Sequence, residues 1–231
     1  MLDSNMSEYN KELALEARRL LPLRTRPLRV LEAGCGSTSH FPLDPSWHLT
    51  GIDLSKRQLA LNTKLHARIH GNLEEYRWEN EGFDLVICWD VIEHLPNPQK
   101  ALKNLFDSLD PGGLLVLAFP NLHSVKGWVT KLTPYWVHLF FYRFIIGTER
   151  SKVEADQFPT YLRMDIQPAR IAKFAQDHGL EIAYRLEYQG PVQVHLRQSN
   201  KLADLFFALI RPLGLNNSDA MMILRKPSLD Q

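Results

Sequence analysis

Apolar positions along the chain alternate between short continuous runs and stretches with helical period. Leu13, Ala17, Leu20 and Leu21 recur at helical spacing behind Ser7, a capping residue type, and Pro22 ends the run, which predicts a helix over 7–21. Leu28 to Ala33 reads as a strand that runs into Gly34-Cys35-Gly36, and Leu49 to Ile52 as a second strand ending at Asp53, followed by a helix over 54–61 opened by Ser55. A faint third strand falls around Ala67 to His70. Phe83 to Cys88 is a continuous apolar run of the kind buried on both faces of a parallel sheet. Asn97-Pro98 then supplies a cap and a proline for the first helical turn, and Leu102, Leu105, Phe106 and Leu109 share one face behind it.

After the turn residues Asp110 to Gly113, Leu114 to Phe119 is a fifth strand. Strands alternating with helices at this spacing imply right-handed crossovers and a doubly wound, Rossmann-like α/β fold. The alternation breaks over 121–165, an aromatic-rich block that reads as an insertion within a single domain over 1–231. It resumes with a helix carrying Pro168, Ile171, Phe174 and Ala175, a strand over 180–188, a helix striped by Leu202, Leu205, Phe206, Leu209 and Ile210, and a final strand over 220–224.

Composition removes several function classes. Lys plus Arg (27) nearly balance Asp plus Glu (26), so the basic excess of a dedicated nucleic-acid binder is absent. With 45% hydrophobic and 23% charged residues the chain is globular in composition. Two cysteines, Cys35 and Cys88, make neither a disulfide framework nor a zinc cluster, and a reducing cytoplasm is the expected setting. Residues 1–10 show neither a basic start nor an apolar segment, so no secretory leader is expected. The stretch from Leu132 to Tyr142, interrupted by Pro134, is too short to span a bilayer.

The sharpest chemical signal is Val30-Leu31-Glu32-Ala33-Gly34-Cys35-Gly36-Ser37 followed by Gly51-Ile52-Asp53-Leu54-Ser55. A glycine turn after the first strand lets backbone approach a ligand, and a carboxylate ending the second strand can accept both hydroxyls of a ribose. A dinucleotide site wants a third glycine beside the pyrophosphate, whereas Ser37, Thr38 and Ser39 follow Gly36 here, which weakens that reading. The plainer alternatives are an ordinary strand-to-helix turn for Gly34 and Gly36 and a helix N-cap for Asp53.

These two segments, with His-Gly-Asn-Leu-Glu-Glu (70–75), Phe-Asp-Leu-Val-Ile-Cys-Trp-Asp-Val-Ile-Glu-His-Leu (83–95) and Leu-Asp-Pro-Gly-Gly-Leu-Leu-Val-Leu (109–117), resemble in order and spacing the successive motifs of class I S-adenosylmethionine-dependent methyltransferases of the ubiquinone/menaquinone type. The resemblance covers roughly residues 28 to 120. It implies a seven-stranded, mostly parallel sheet with an antiparallel last strand, S-adenosylmethionine as cofactor, and a small-molecule acceptor. Carried over, Gly34 and Gly36 lie against the methionine portion with Glu32 ordering the loop. Asp53 holds the ribose, Leu54 packs on the adenine, Asn72 and Leu73 read its edge, and Cys88, Trp89 and Asp90 stand beside the methyl. Two departures are visible: Thr38 stands where a further glycine is common, and Asn72 where many relatives have Asp.

Glu93 and His94 follow the fourth strand. Methyl transfer to a hydroxyl needs positioning and removal of a proton, and histidine suits the latter. In the resembling family a His near this place is in some members the base; the competing reading makes Glu93 a loop brace and His94 a packed core residue. In the 121–165 block, His123, Tyr135, Trp136, His138 and Tyr142 are candidate acceptor contacts. Val137, Phe140, Phe141, Phe144 and Ile145 share one apolar helical face, and the block reads first as a lid, then as plain packing, then as a peripheral membrane contact anchored by Trp136 between Lys131 and Arg143. No metal-ligand spacing is present, so no metal is expected. The expected reaction is methylation of an oxygen or nitrogen; carbon methylation, cyclisation and a noncatalytic binding module are the alternatives.

Overall fold

The computed structural model describes residues 2–39, 41–79, 82–122, 124 and 166–228. The insertion from 125 onward, and with it Tyr135, Trp136, His138 and Tyr142, lies outside the described residues, as does His123.

Among the described residues the chain runs α1 (Leu2–Leu20), β1 (Arg29–Ala33), β2 (His48–Asp53), α2 (Lys56–Leu61), β3 (Ala67–His70), β4 (Phe83–Trp89), a 3₁₀ turn (Ile92–His94), α3 (Pro98–Asp107), β5 (Leu109–Pro120), α4 (Pro168–Asp177), β6 (Glu181–Tyr188), α5 (Pro191–Ser199), α6 (Lys201–Ile210), a second 3₁₀ turn (Arg211–Leu213) and β7 (Asp219–Arg225). The strands form one seven-stranded sheet in the order β3-β2-β1-β4-β5-β7-β6. Pairings from β3 through β5 are parallel, and β7 is antiparallel to both β5 and β6. The last strand is thus wedged between β5 and β6. All parallel strands, β6 included, point their C-terminal ends to the same edge.

The two faces of the sheet make two cores. Leu31, Val86, Leu115 and Leu117 pack with Leu102 and Leu105 of α3 and Ile171 and Phe174 of α4. Val30, Leu85, Ile87, Leu114 and Val116 pack with Leu13, Ala14 and Ala17 of α1. This period-2 sorting explains why all seven residues of β4 are buried, and each fully buried Leu or Ile contributes about 1.5–3 kcal/mol. Local signals set the ends: Asn97 accepts the N–H of Lys100 with Pro98 opening α3, Ser55 accepts the N–H of Gln58 at the start of α2, and Asn200 accepts the N–H groups of Leu202 and Ala203.

Several boundaries differ from the sequence expectation. Helix α1 begins at Leu2, so Ser7 falls inside it rather than at its cap. Asp110 to Gly113 does not form a separate turn; it belongs to β5, across an irregular register with β4 between Phe83 and Leu85. Helix α5, not anticipated at all, is anchored by the buried Gln193, which donates to the Asn216 carbonyl at 2.6 Å. The stripe on α6 is present but points to solvent, with Phe207 as the helix's buried residue.

On the opposite edge from the strand C-termini, Asp84 has a fully buried side chain that accepts from Arg24 at 2.8 Å, Arg26 at 2.6 Å and the Arg29 N–H at 2.8 Å. Burial alone would favour its neutral form, but the hydrogen bonds from Arg26, the Arg29 N–H and Arg24 outweigh it and hold the carboxyl below its usual range.

Candidate active site

The chain passes from β1 to the next element through Gly34 at φ 68° and Gly36 at φ 49°, a left-handed conformation that side chains resist. Close approach adds a second reason for glycine: a Cβ on Gly34 would meet Val91 Cγ2 at 2.5 Å, and one on Gly36 would meet Gln58 Oε1 at 2.9 Å. The turn is fastened from below by the Ile52 carbonyl, which accepts from Gly34 N and Cys35 N, and from the side by Asn62, whose Nδ2 donates to the carbonyls of Cys35 and Gly36 at 3.4 and 3.3 Å. Asp53, buried at the end of β2, accepts the Gly36 N–H on Oδ2 at 2.9 Å and the Ser55 N–H on Oδ1 at 2.7 Å. The capping role weighed for Asp53 belongs to Ser55.

Around this turn lies a cavity of about 520 Å³, within the range of small-molecule and cofactor sites. Of the residues singled out in the sequence, Gly34, Gly36, Asp53, Leu54, Asn72, Leu73, Trp89, Asp90 and His94 all line it. Topology brings them together, since each stands at or after the C-terminal end of β1, β2, β3 or β4. Leu54 is 54% exposed, an apolar surface open to a ligand. Asn72 Oδ1 accepts the N–H of Glu74 at 3.0 Å, which shapes the segment after β3. Asp90 has φ 52°, a strained left-handed backbone that reverses the chain directly after β4.

Three of the residues singled out in the sequence do not line the cavity. Cys88 is fully buried in the core and does not line the cavity, because its strand position shares the face of Val86 and Leu117; burial with the nearby charges of Glu93 and Asp90 pushes its thiol pKa up. Glu93 is buried beside the cavity rather than in its wall, with Oε1 3.9 Å from His94 Nε2. Glu32 is buried outside the wall as well; its Oε2 has no hydrogen-bond partner, and burial pushes its pKa up to about 7 against a hydrogen bond from Ser39 that favours the charged form. Conversely, Gln58, Gly71, Val91, Leu95 and Pro96 line the cavity without having been singled out. Val91 and Leu95 lay inside the fourth motif, and the tight Gly34–Val91 approach is the physical signal that could have found the first of them. Thr38, the departure from the family pattern, is exposed on the cavity wall. Among the described residues no group of three or more His, Cys, Asp or Glu is placed to hold a metal ion, and no helix is long and apolar enough to cross a membrane.

The chain is 28% identical over 174 residues to a ubiquinone biosynthesis O-methyltransferase of Aromatoleum aromaticum, an alignment covering 67% of this chain and 64% of that protein. It spans roughly half to two thirds of the curated relatives it matches, 64%, 45% and 61% for three of them. In three dimensions it resembles an S-adenosylmethionine-dependent methyltransferase of Mesorhizobium loti, with a TM-score of 0.58 at 14% identity over 98% of this chain and 100% of the other. It also resembles the cyclase SpnF, with a TM-score of 0.57 at 15% identity over 95% and 81%. Those likenesses show the fold. Residues 5–182, more than three quarters of the chain, match the methyltransferase domain model, and the chain therefore belongs to that family, the class I S-adenosylmethionine-dependent methyltransferases.

Proposed function

We propose that the cavity holds S-adenosylmethionine and that the protein moves its methyl group to an oxygen or nitrogen of a small apolar or aromatic acceptor. The observation that carries this reading is the tie from Asp53 to Gly36, which fixes a carboxylate and a glycine turn in one cavity that His94 also lines. The residues present suit the cofactor. Each Asp53 oxygen accepts one backbone N–H and keeps a further lone pair for a ribose hydroxyl. Leu54 and Leu73 offer apolar surface to an adenine, and Asn72 Oδ1 retains acceptor capacity beyond its bond to Glu74. The glycines let the turn pack directly against Val91 and Gln58, where a Cβ would collide, and so bring its backbone to the cavity wall.

When bound, the cofactor supplies an electrophilic methyl group on a sulfonium centre. Trp89 and the strained Asp90 wall the cavity where β4 ends, and so orient what lies there. His94 takes the acceptor's proton, and Glu93 at 3.9 Å favours the imidazolium that results. In this reading Glu32, buried in β1 two residues before Gly34, orders the glycine turn. The acceptor contacts expected at His123, Tyr135, Trp136, His138 and Tyr142 belong to this reading on sequence grounds alone, as does a cytoplasmic setting, with which the free, buried Cys35 and Cys88 are consistent.

Thermal unfolding tests the first step. S-adenosylhomocysteine at a hundredfold excess over its dissociation constant should stabilise the native state by about 2.7 kcal/mol, while NADH should not; the reverse pattern would reject the cofactor assignment. Transfer of labelled methyl to a panel of phenols and amines, with product mapping, separates oxygen or nitrogen methylation from carbon methylation and cyclisation.

A further inference from the structure

We propose that Glu74 is a positioning residue that ties two walls of the cavity together and so sets the place of His94. One wall is Gly71-Asn72-Leu73, the stretch that leaves β3, and the other is His94-Leu95-Pro96, the stretch that enters α3. Glu74 directly follows Leu73, Asn97 directly follows Pro96, and Glu74 Oε1 accepts the Asn97 N–H at 2.7 Å. Glu74 is buried, and neither it nor Asn97 lines the cavity. The bond therefore acts on both walls from outside the ligand space.

The capping chemistry of α3 explains why a distant carboxylate is used. Asn97 is the N-cap, and its side chain accepts the Lys100 N–H. In a capping box the third helical residue is a Glu or Gln that reaches back to the N–H of the cap. Here that residue is Lys100, whose side chain has no acceptor, and the N–H is satisfied by Glu74, 23 residues away. The first wall is fixed to the same helix a second time. Buried Asn104 of α3 donates to the Leu73 carbonyl at 2.9 Å and accepts from Arg77 Nη1 at 3.1 Å. Asn72 Oδ1 in turn accepts the Glu74 N–H at 3.0 Å. Asn72, Leu73 and His94 thus belong to one hydrogen-bonded unit. The turn that carries His94 is held at Asp90, whose N–H donates to the Ala118 carbonyl, and at Asn97. A ligand that orders Asn72 and Leu73 therefore orders His94 through Glu74. That this ligand is the methyl donor, and that His94 takes a proton, rests on the function proposed above; the tie itself does not.

NMR of the full chain tests it, with S-adenosylhomocysteine as the probe. In the ligand-free protein Glu74→Ala should speed exchange of the Asn97 amide roughly tenfold or more, as loss of a hydrogen bond to a charged group requires. The His94 ring signals should move in the same variant. Glu74→Gln, whose amide oxygen still accepts, should restore both. Adding S-adenosylhomocysteine should slow exchange across 91–97 in the wild type and Glu74→Gln but not in Glu74→Ala, while the slowing at Gly36 persists in all three. With an acceptor found in the methyl-transfer panel, Glu74→Ala should lower kcat about tenfold at little cost in KM for S-adenosylmethionine, and Glu74→Gln should recover it. Glu74→Asp, one methylene short of Asn97, should behave as Glu74→Ala and keeps the test valid if the alanine variant folds poorly. Unchanged Asn97 exchange and His94 signals in Glu74→Ala, or slowing across 91–97 that survives loss of the carboxylate, would overturn the proposal. A protein that ignores S-adenosylhomocysteine yet shows both ligand-free effects and their rescue would reject the cofactor reading alone and uphold the tie.

Discussion

Asp53 Oδ2 accepts the Gly36 N–H at 2.9 Å while its Oδ1 accepts the Ser55 N–H at 2.7 Å, so one carboxylate joins the glycine turn after β1 to the start of α2. Two backbone segments that line the cavity are thereby held in register by a side chain that lines it too. Asp53→Ala should weaken S-adenosylhomocysteine binding by about 2–4 kcal/mol, through lost charge-assisted hydrogen bonds and a loosened turn. Asp53→Asn should recover part of that loss, because one amide oxygen still accepts from Gly36. Calorimetry on both folded variants checks this, and equal affinities for wild type and Asp53→Ala would remove Asp53 from the site.

Glu32 supplies a pH prediction of unusual sign for a carboxylate. Its pKa in the folded chain is raised to about 7, chiefly by burial, against about 4.3 in an unfolded chain. The native state therefore holds a proton that the unfolded state has lost, and stability falls as pH rises from the unfolded value through the folded one, then levels off. The loss is on the order of 3 kcal/mol for a shift of that size. Urea denaturation between pH 5 and 8 should show the decline in the wild type, and Glu32→Gln should flatten it, leaving the variant more stable at the alkaline end yet with an altered glycine turn. A wild-type profile without slope across that range would mean Glu32 ionises freely.

Asp84 should behave oppositely. Its folded pKa is depressed by Arg26, the Arg29 N–H and Arg24, so its contribution is present above the unfolded value near 3.9 and is lost as pH falls through the folded value. Asp84→Asn should cost about 1–3 kcal/mol at neutral pH and reduce the steepness of acid unfolding. Cofactor affinity should not change, because Asp84 lies at the sheet edge remote from the cavity. Equal denaturation midpoints for wild type and variant would show that the arginines contribute little beyond solvent screening.

The sheet and the part of the cavity around the glycine turn were legible because they rest on local chemistry: a glycine pair, a carboxylate at a strand end, an asparagine-proline cap. What escaped is set by packing between distant segments. The Phe83 to Trp89 run is buried on both faces, so hydrophobicity carries no parity there, and nothing in the run says that Cys88 turns to the core while Trp89 reaches the cavity. Helix α5 is anchored by a polar contact from Gln193 to Asn216, 23 residues away, which leaves no apolar stripe to find. For α6 the period was read correctly, but a periodic face does not say whether protein or solvent lies against it. Asn62, which fastens the glycine turn, stands in a sequence context with no motif of its own.

His94 is the residue on which the chemical reading depends. It lines the cavity with 28% of its side chain exposed and stands 3.9 Å from the buried Glu93, an arrangement suited to a base that meets an acceptor from solvent and returns its proton. General-base contributions are typically about 10² to 10⁴-fold, so His94→Ala should lower kcat by that range. S-adenosylhomocysteine affinity should stay within about twofold, since the proposed reading gives the ribose and adenine to Asp53, Leu54 and Asn72. Glu93→Gln should reduce kcat less and shift the pH profile, because it acts through the imidazole and not on the acceptor. If His94→Ala instead fails to fold, the residue belongs to the core; and if it turns over at the wild-type rate, the proton is taken by another group, for which His123 and His138 are the next variants to make.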